Sequence, residues 1–438
     1  MPDKEENLLD TKARGKVFIT SPLSYIINGE YYAAIAKNLG YEVKLNNSNE
    51  ALETLNEIKN FTPDFLVMQM TFDKFRLQLE FLQNLKSAFP SIKIIATGEP
   101  FLTYINNVTY ENPFIDYAII GEAEYTLKDI LDGLPDSEIL GITYTDDNMQ
   151  SAKNELRPLI ENLDNLPFPA RQLIKNRKEL TIEVSRGCPF HCFFCLTSPI
   201  YGNKLRIRSV DNVIKELKEC VNKFKAKKVF FKSDYLNVDI NWLTDLCSKI
   251  IEEGVKIDWS CNIVPNNLDE NLVKLMKKSG CTQCNIGIES GSEEILEKIG
   301  KNTTKEGIKS TVSLLKKYKI KTKGYFILGL PWETEETAEE TTNFALELDT
   351  DEAVFNIGIP FPGTDFFVYG MLNKLFAPQT QFSNAHKNAL VKTHTLTKER
   401  ISELRDIAEK KFYSRPKLII KSFFKRLILK TQLRKFFS

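Results

Sequence analysis

Three cysteines lie within eight residues near the middle of the chain. They are Cys188, Cys192 and Cys195, separated by three and two residues. Three thiolates at this spacing on one loop can converge on a single iron–sulfur cluster. A [4Fe–4S] cluster held by protein alone usually has four cysteine ligands, so three ligands would leave one iron open to another group.

Two alternatives for this loop remain open. His191 and the three cysteines would form a Cys₃His zinc site, although His191 is adjacent to Cys192 and such neighbours rarely reach one tetrahedral ion together. The three thiols could also pack in the core without any metal.

The other five cysteines are scattered through periodic segments. Cys281 and Cys284 could be half of a metal site or a redox couple, but two further ligands are missing nearby in the sequence, and we predict buried core. Cys220, Cys247 and Cys261 are also predicted as core. Clustered cysteines in a large chain bind metal more often than they form disulfides, so we expect a reducing, cytoplasmic compartment.

The elements that position the cysteine loop begin with an α/β series over residues 16–145. Short apolar runs bounded by amphipathic stretches predict buried parallel strands. Repeated strand–helix units predict a doubly wound, Rossmann-like sheet. The predicted strands are residues 16–20, 42–45, 64–70, 93–97, 115–120 and 139–145.

A second α/β series begins at Glu179, after a proline-rich stretch that we predict to be an extended linker. Six strand–helix units favour a partial (β/α)₆ barrel over a closed barrel of eight units. Active sites of such folds lie where the strands end, and the cysteine loop directly follows the first strand. The predicted strands are residues 179–184, 228–231, 256–261, 282–288, 321–328 and 353–359.

The chain of 438 residues is too long for one ordinary core. Its composition, 42% hydrophobic and 27% charged, is typical of soluble globular proteins. It has no apolar run of about 18 residues, and its polar first residues do not resemble a secretory signal. The predicted parts are a disordered N-terminus (1–15), a Rossmann-like domain (16–150), a linker (151–178), a barrel (179–375), a helical region (376–414) and a basic amphipathic tail (415–438).

The cysteine loop resembles that of the radical S-adenosylmethionine (SAM) superfamily, which has C-x₃-C-x₂-C after the first strand of an α/β barrel. The resemblance implies that the open iron binds the amino and carboxylate groups of SAM. The reduced cluster then cleaves SAM to a 5′-deoxyadenosyl radical, which abstracts a hydrogen from the substrate. Phe194, the aromatic residue before the third cysteine, would meet the adenine through its backbone.

Two later segments resemble further parts of the superfamily's SAM site. Residues 286–292, Ile-Gly-Ile-Glu-Ser-Gly-Ser, resemble the fourth-strand motif, which implies SAM contacts for Glu289 and Ser290. Residues 324–334 resemble the fifth-strand segment beside the adenine, which implies a contact for Leu328. A solvated or salt-bridged carboxylate remains the alternative for Glu289, and close packing remains the alternative for the glycines.

The second strand departs from the superfamily pattern. Ser233 and Asp234 stand where small or acidic residues often hold the SAM amino group, but Lys232 precedes them. Arg206 and Arg208 resemble the basic segment that often follows the cluster loop. A solvated pair at a helix start is the alternative for these arginines.

The order of an α/β domain, a linker and a radical SAM core resembles the cobalamin-binding subgroup, over roughly residues 16–375. Gly121 and Glu122 resemble its acidic glycine turn, and Gly98 lies where the cobalamin nucleotide tail commonly passes. The Asp-x-His-x-x-Gly loop is absent and the domain has no histidine, so the resemblance implies cobalamin without histidine ligation. Thr71 is our candidate to face the cobalt, and a scaffold that no longer binds cobalamin is the alternative.

The C-terminus is strongly basic. Residues 415–438 contain eight Lys or Arg residues and no Asp or Glu. Lysines recur every four residues opposite an apolar face, which predicts a basic helix in a membrane interface. A nucleic-acid arm and a helix docked on the barrel are the alternatives. His386 and His394 are predicted to be solvated.

These features predict an enzyme that modifies an unactivated carbon by radical chemistry, using SAM, a [4Fe–4S] cluster and cobalamin. Methylation and oxidative rearrangement or cyclisation are both implied. We expect a small-molecule substrate such as a lipid or pigment precursor, an electron donor such as flavodoxin or ferredoxin, no nucleic-acid partner, and a peripheral position on the inner face of the membrane. The alternatives are an iron–sulfur electron carrier or sensor, which has no need of a vacant iron, and a cobalamin-independent radical SAM enzyme.

Overall fold

The computed structural model describes most of the chain as two compact units. The first unit comprises residues 1–177, 199–202 and 206–208, and the second comprises residues 178–198, 203–205 and 209–438. The described residues are 13–21, 28–46, 48, 50–102, 108–146, 150–174, 179–266, 268–377 and 388–420.

The first unit is built on a seven-stranded sheet with the order β2-β1-β3-β4-β5-β6-β7. The first five strands in this order are parallel, and β6 and β7 are antiparallel to their neighbours. The strands are β1 (Lys16–Thr20), β2 (Glu42–Leu45), β3 (Phe65–Met70), β4 (Lys93–Gly98), β5 (Tyr117–Ile119), β6 (Ile142–Thr145) and β7 (Ser151–Lys153).

Helices cover both faces of this sheet. Val17 and Ile19 of β1 lie in one apolar core with residues of α1 and α5, whereas Phe18 lies in the other with residues of α2 and α3. Because strands buried on both faces are apolar throughout, their sequences lack the alternation of half-exposed strands. The helices are α1 (Gly29–Asn38), α2 (Ala51–Phe61), α3 (Phe75–Ala88), α4 (Val108–Glu111) and α5 (Ala123–Asp132).

Residues 151–174 differ from the linker that the prolines predict. Residues 151–153 form β7, which pairs with β6. Ile160, Leu163 and Leu166 are buried in one core of the first unit. Proline prevents regular hydrogen bonding but leaves neighbouring apolar side chains able to pack, so this stretch is irregular and still belongs to the folded unit.

The second unit is built on six parallel strands with the order β15-β14-β13-β12-β11-β8. Its strands follow one another in the sheet as they do in the sequence, which confirms the α/β class and the predicted six-unit partial barrel. The strands are β8 (Glu179–Glu183), β11 (Lys228–Lys232), β12 (Asp258–Ile263), β13 (Cys281–Glu289), β14 (Lys321–Leu328) and β15 (Glu352–Ile357). Two two-residue strands lie between β8 and β11 in the chain: β9 (Ser185–Arg186), and β10 (Arg206–Ile207), whose residues belong to the first unit.

Helices alternate with the strands of the second unit. Within the described residues, none is long and apolar enough to cross a membrane. The helices are α6 (Thr197–Tyr201), α7 (Val210–Asn222), α8 (Ile240–Glu252), α9 (Glu270–Lys278), α10 (Glu293–Lys298), α11 (Lys305–Lys317), α12 (Glu335–Leu348), α13 (Asp365–Leu372) and α14 (Lys398–Tyr413).

The loops that follow the strands end at defined helix caps. At each cap a side-chain oxygen accepts a hydrogen bond from a backbone N–H in the first helical turn, which stabilises a helix by about 1 kcal/mol. The capping residues are Ser209, Asp239, Asp269, Thr304, Thr334, Thr364 and Thr397. Caps on α8, α9 and α12 fix how far the loops at the ends of β11, β12 and β14 extend. We call this edge of the sheet, where the six strands end, the carboxyl edge.

Candidate active site

The three cysteines lie on the loop that leaves β8 at the carboxyl edge. Cys188 is 6% exposed, and Cys192 and Cys195 are half-buried. Burial raises the pKa of Cys188 and of Cys192 to about 11. The backbone N–H of Thr197 donates to Cys195 Sγ at 3.4 Å. Three thiols on one half-buried loop fit a cluster, whose iron displaces their protons on binding.

The zinc alternative has no support among the described residues. His191 is exposed. No group of three or more His, Cys, Asp or Glu side chains in the described segments is arranged to hold a single metal ion. A [4Fe–4S] cluster does not require its cysteines to meet at one ion, because each thiolate binds a different iron atom.

Phe193 anchors the cysteine loop to the second unit. Its N–H donates to Ile299 O at 3.1 Å, and its carbonyl accepts from Phe366 N–H at 2.9 Å. Its ring lies 4.8 Å from the ring of Trp332 and 5.4 Å from that of Phe366. The residue between two cysteines is therefore held by both backbone and ring contacts, so the loop has a defined path.

A buried ion-pair network lies at the base of this loop. Glu183, the last residue of β8, is 4% exposed, and Arg186 is 1% exposed. Arg186 Nε and Nη2 donate to Glu183 Oε2 at 2.9 and 2.7 Å, and Lys232 Nζ donates to Glu183 Oε1 at 2.7 Å. Burial alone would raise the pKa of Glu183, but Arg186 and Lys232 lower it to about 2. Lys232, which departs from the superfamily pattern, therefore serves this network.

A second buried pair lies beside Cys192. Lys301 Nζ donates to Glu289 Oε1 at 2.7 Å and to Tyr235 Oη at 3.0 Å. The side chains of Lys301 and Glu289 are 2% and 8% exposed. Burial lowers the pKa of Lys301, but Glu289, Tyr235 and Cys192 together raise it, so Lys301 is an ammonium ion. Glu289 adopts a left-handed backbone with φ of 66°, a strained conformation that is common at functional sites.

Asp234 and Ser233 follow β11 at the same edge. Asp234 accepts a hydrogen bond from Thr197 Oγ at 2.9 Å, and burial raises its pKa. Its charge also acts on Cys188. Ser233 is 5% exposed and its hydroxyl lies 2.8 Å from that of Ser185. The structure thus brings Asp234, Glu289 and the cysteine loop to one edge, and adds Lys301 and Tyr235, which the sequence analysis missed.

Ser290 and Leu328 are placed differently from Glu289. Ser290 is fully buried, lies 3.1 Å from the Thr341 hydroxyl and accepts from Ser292 N–H. Leu328 is 1% exposed and its carbonyl accepts from Gly358 N–H. Both therefore build the ends of their strands, and a direct SAM contact stays a prediction for them. Phe194 is half-buried in the cysteine loop.

The predicted cobalamin residues follow the parallel strands of the first unit. Gly98 ends β4 with φ of 123°, where an added Cβ would lie 2.1 Å from Met70 O, so only glycine fits. Gly121 has φ of 87° and open space around its missing side chain. Thr71 is nearly buried and its hydroxyl donates to Asp73 at 2.7 Å. Gly121 therefore leaves room at this edge, whereas Gly98 packs against the backbone of Met70 and Thr71 already has a partner.

The carboxylate of Glu122 forms a buried ion pair and is not exposed in an open turn. Arg206 Nη1 donates to its two carboxylate oxygens at 3.0 and 2.8 Å, and Ile160 N–H donates to it at 2.6 Å. Both side chains are 2% exposed. Arg206 and Arg208 are buried, so the alternative of a solvated pair is wrong. Glu122 fixes the chain of the first unit, and any cobalamin contact through its carboxylate stays a prediction.

The remaining candidates lie outside this site. All five other cysteines are fully buried, as predicted for core, and Cys281 Sγ lies 3.8 Å from Cys284 Sγ. His394 is exposed and lies 2.9 Å from Tyr369 Oη. His386 lies outside the described residues.

Comparison with known proteins places this site in a family. Residues 182–345 match the model of the radical SAM superfamily. An uncharacterized methyltransferase of Pyrococcus horikoshii is 33% identical over 392 residues, which cover 86% of this chain and 85% of that protein. A bacteriochlorophyllide d C-12(1)-methyltransferase of Chlorobaculum tepidum is 32% identical over 192 residues, 43% of this chain and 42% of that protein.

The fold has a solved counterpart. The radical SAM methyltransferase TsrM of Kitasatospora setae, solved with cobalamin and a [4Fe–4S] cluster, superposes with a TM-score of 0.68 at 16% identity. The match covers 92% of this chain and 82% of that chain. It shows a shared fold that includes the N-terminal unit.

The Glu183 network makes a prediction about stability. Glu183→Gln leaves Arg186 and Lys232 without their carboxylate, and should lower the free energy of unfolding at pH 7 by on the order of 3 kcal/mol. The stabilisation is present above the ordinary carboxyl pKa of 4.5 and is lost as pH falls towards about 2. Urea denaturation of both proteins between pH 7 and pH 3 should therefore show the difference shrinking below about pH 4.5.

The matched control is Glu179→Gln, a change at the exposed start of the same strand. It should change the free energy of unfolding by less than about 0.5 kcal/mol. Equal stability of the Glu183 and Glu179 variants at pH 7 would show that the network does not support the loop.

Proposed function

The chain belongs to the radical SAM superfamily, and from this premise we propose that it is a cobalamin-dependent radical SAM methyltransferase acting on a small molecule. The observation that carries the proposal is the loop with three thiols and no fourth, beside a buried cation and two carboxyl groups. An electron carrier or sensor would need neither a vacant iron nor these charged groups. Methyl transfer is favoured over rearrangement or cyclisation because both relatives and the solved counterpart are named methyltransferases.

Cys188, Cys192 and Cys195 would hold the [4Fe–4S] cluster. The bound cluster supplies the single electron that breaks a carbon–sulfur bond of SAM. The chain's part is to fix the loop beside the charged groups of the carboxyl edge, through the contacts of Phe193 and the Glu183 network. The electron itself would come from a protein such as flavodoxin or ferredoxin.

The charged groups at the carboxyl edge match the charges of SAM. SAM carries a carboxylate, an ammonium and a sulfonium group. The Lys301 ammonium is complementary to the carboxylate, and Asp234 and Glu289 are complementary to the ammonium or the ribose hydroxyls. Because these groups are mostly buried, their interactions with a ligand are screened less than in water.

The first unit would hold cobalamin, which supplies a carrier for the methyl group. Gly121 leaves space after β5, at the edge where ligands of doubly wound sheets bind, and Gly98 ends β4 at the same edge. The first unit contains no histidine, so no histidine nitrogen from it would reach the cobalt. The peripheral membrane position predicted from residues 415–438 stays a prediction, since most of these residues lie outside the described ones.

Anaerobic reconstitution tests the proposed class of reaction. The protein should hold about four irons and, once reduced, should release 5′-deoxyadenosine from SAM. Cys188→Ala, Cys192→Ala and Cys195→Ala should each lose both properties, because two thiolates do not retain the cluster. Cys220→Ala, a change at a buried helical cysteine, should keep both. A full iron content and SAM cleavage in Cys188→Ala would rule the assignment out.

Lys301→Gln should weaken SAM binding by at least tenfold while iron content stays unchanged, since removal of the cation leaves the carboxylate of SAM without its partner. Equilibrium dialysis of SAM against the reconstituted, oxidised protein measures this separately from turnover. The control is Lys298→Gln, three residues earlier, where the lysine is exposed and pairs with Glu294. Unchanged SAM affinity in Lys301→Gln would remove Lys301 from the site.

Cobalamin binding has a spectroscopic test. The protein should bind cobalamin at micromolar concentration, and the electron paramagnetic resonance spectrum of the bound cob(II)alamin should lack coupling to a histidine nitrogen. Gly121→Leu should weaken binding, because its side chain fills the open space beside that residue. Failure of the unmodified protein to bind cobalamin would favour the alternative of a scaffold that no longer holds it.

A further inference from the structure

The opposite edge of the six-stranded sheet, where the strands begin, carries a row of exposed lysines. We call it the amino edge. The row crosses four adjacent strands, β14, β13, β12 and β11, which lie about 5 Å apart from one neighbour to the next. Its exposed members are Lys223, Lys225, Lys227 and Lys228 at or before the start of β11, Lys256 before β12, Lys277 and Lys278 before β13, and Lys317, Lys319 and Lys321 at or before the start of β14.

Most of these lysines are not used to stabilise the fold. Among the described residues, no ion pair forms with Lys225, Lys227, Lys228, Lys256, Lys278, Lys319 or Lys321. Carboxylates at this edge lie in three places: Glu179 starts β8, and two groups lie at or before the starts of β12 and β15. The two groups are Glu252, Glu253 and Asp258, and Asp349, Asp351 and Glu352. Glu253 pairs with Lys218 at 2.7 Å. The lysines between these places therefore form a solvated positive strip.

The last described residues, 415–420, lie at the same edge, and we call them the C-terminal arm. Arg415 Nη1 lies 2.6 Å from Asp349 Oδ1, and Arg415 Nη2 donates to Thr350 O at 3.0 Å. Lys417 Nζ lies 3.0 Å from Asp349 Oδ2. A groove of about 440 Å³ beside these contacts is lined by Lys316, Lys319, Lys321, Lys417, Ile320, Asp349 and Asp351. The first residues of the arm are thus fixed beside the lysine strip.

Two apolar residues that follow Arg415 and Lys417 are exposed to solvent. Leu418 is 8% exposed and faces the protein, whereas Ile419 and Ile420 are 55% and 56% exposed. Exposed isoleucines next to cations suit a phospholipid surface, where cations meet head groups and apolar side chains enter the acyl boundary. A phosphate backbone would use the cations but not the isoleucines. Docking of the arm on the barrel would cover these two side chains.

We propose that the amino edge and the C-terminal arm together dock the protein on an anionic phospholipid bilayer, so that the cysteine loop lies at the edge of the sheet away from the lipid. The positive strip supplies the electrostatic attraction and the isoleucines supply insertion. The carboxyl edge then opens to water, where a soluble substrate and an electron-donating protein reach it. This orientation goes beyond the proposed reaction and holds whichever carbon is methylated.

Vesicle co-sedimentation of the full chain tests the surface. The protein should bind vesicles of phosphatidylcholine with 30 mol% phosphatidylglycerol, and should not bind phosphatidylcholine alone. Replacing Lys227, Lys228, Lys319 and Lys321 by Gln should weaken binding at least about tenfold, since each lysine near an anionic surface contributes about fivefold. The matched control replaces Lys37, Lys59, Lys215 and Lys392, which are exposed outside the amino edge, and should change binding less than twofold.

A second variant tests the contribution of the two exposed isoleucines. Ile419→Ser with Ile420→Ser should make the remaining binding fully salt-sensitive, whereas the unmodified protein should keep part of its binding at 0.5 M salt. Equal vesicle binding by the strip variant and the unmodified protein would overturn the proposal. So would binding to a duplex or single-stranded oligonucleotide without binding to anionic vesicles.

Hydrogen exchange of the unmodified protein tests the orientation independently of any variant. Anionic vesicles should slow amide exchange in residues 223–228, 318–321 and 415–420. Exchange in residues 293–304, at the carboxyl edge, should not change. Protection of the carboxyl edge instead would reverse the orientation, and protection of neither edge would remove the docking surface.

Discussion

The carboxylate of Glu183 is the interaction on which the site depends most. It ends β8, the strand from which the cysteine loop departs, and it is shared by Arg186 and Lys232 at 2.7–2.9 Å. Arg186 is two residues before Cys188 and is 1% exposed, and a buried cation requires a close carboxylate. One carboxylate therefore joins the first strand, the second strand and the start of the loop into a single unit.

Because the charges at the carboxyl edge are buried in pairs, their positions are fixed before any ligand binds. Lys301 is held at 2.7 Å by Glu289 and 3.0 Å by Tyr235, so its ammonium has one position before any ligand arrives. Fixing it in advance reduces the conformational entropy that binding would otherwise cost. The left-handed backbone of Glu289 is tolerated because the surrounding strands β12 and β14 hold both sides of β13.

Sequence patterns predicted the strands closely and the charged contacts hardly at all. Strands β1, β2 and β14 begin and end where periodicity places them, and the others shift by a few residues, because apolar runs mark buried strands directly. β7 was missed since Ser-Ala-Lys has no apolar pattern. Lys301 was missed because α10 separates it from Glu289 in the chain. A contact between residues brought together by a reversal of the chain produces no repeating pattern in the sequence. The ion pair of Glu122 was missed because its partner, Arg206, is 84 residues away.

The two edges of the barrel differ in how they carry charge, and the difference follows from desolvation. At the carboxyl edge Glu183, Arg186, Glu289 and Lys301 are nearly buried, and burying a charge is costly unless a partner is close. Such an arrangement persists only where it supports a loop or faces a charged ligand of defined shape. At the amino edge the lysines remain in water, where a cation costs little and needs no fixed partner. Solvated cations in a row cannot select a small molecule by shape, but they can act together on an extended anionic surface. The same sheet therefore keeps buried, paired charges at one edge and solvated cations at the other.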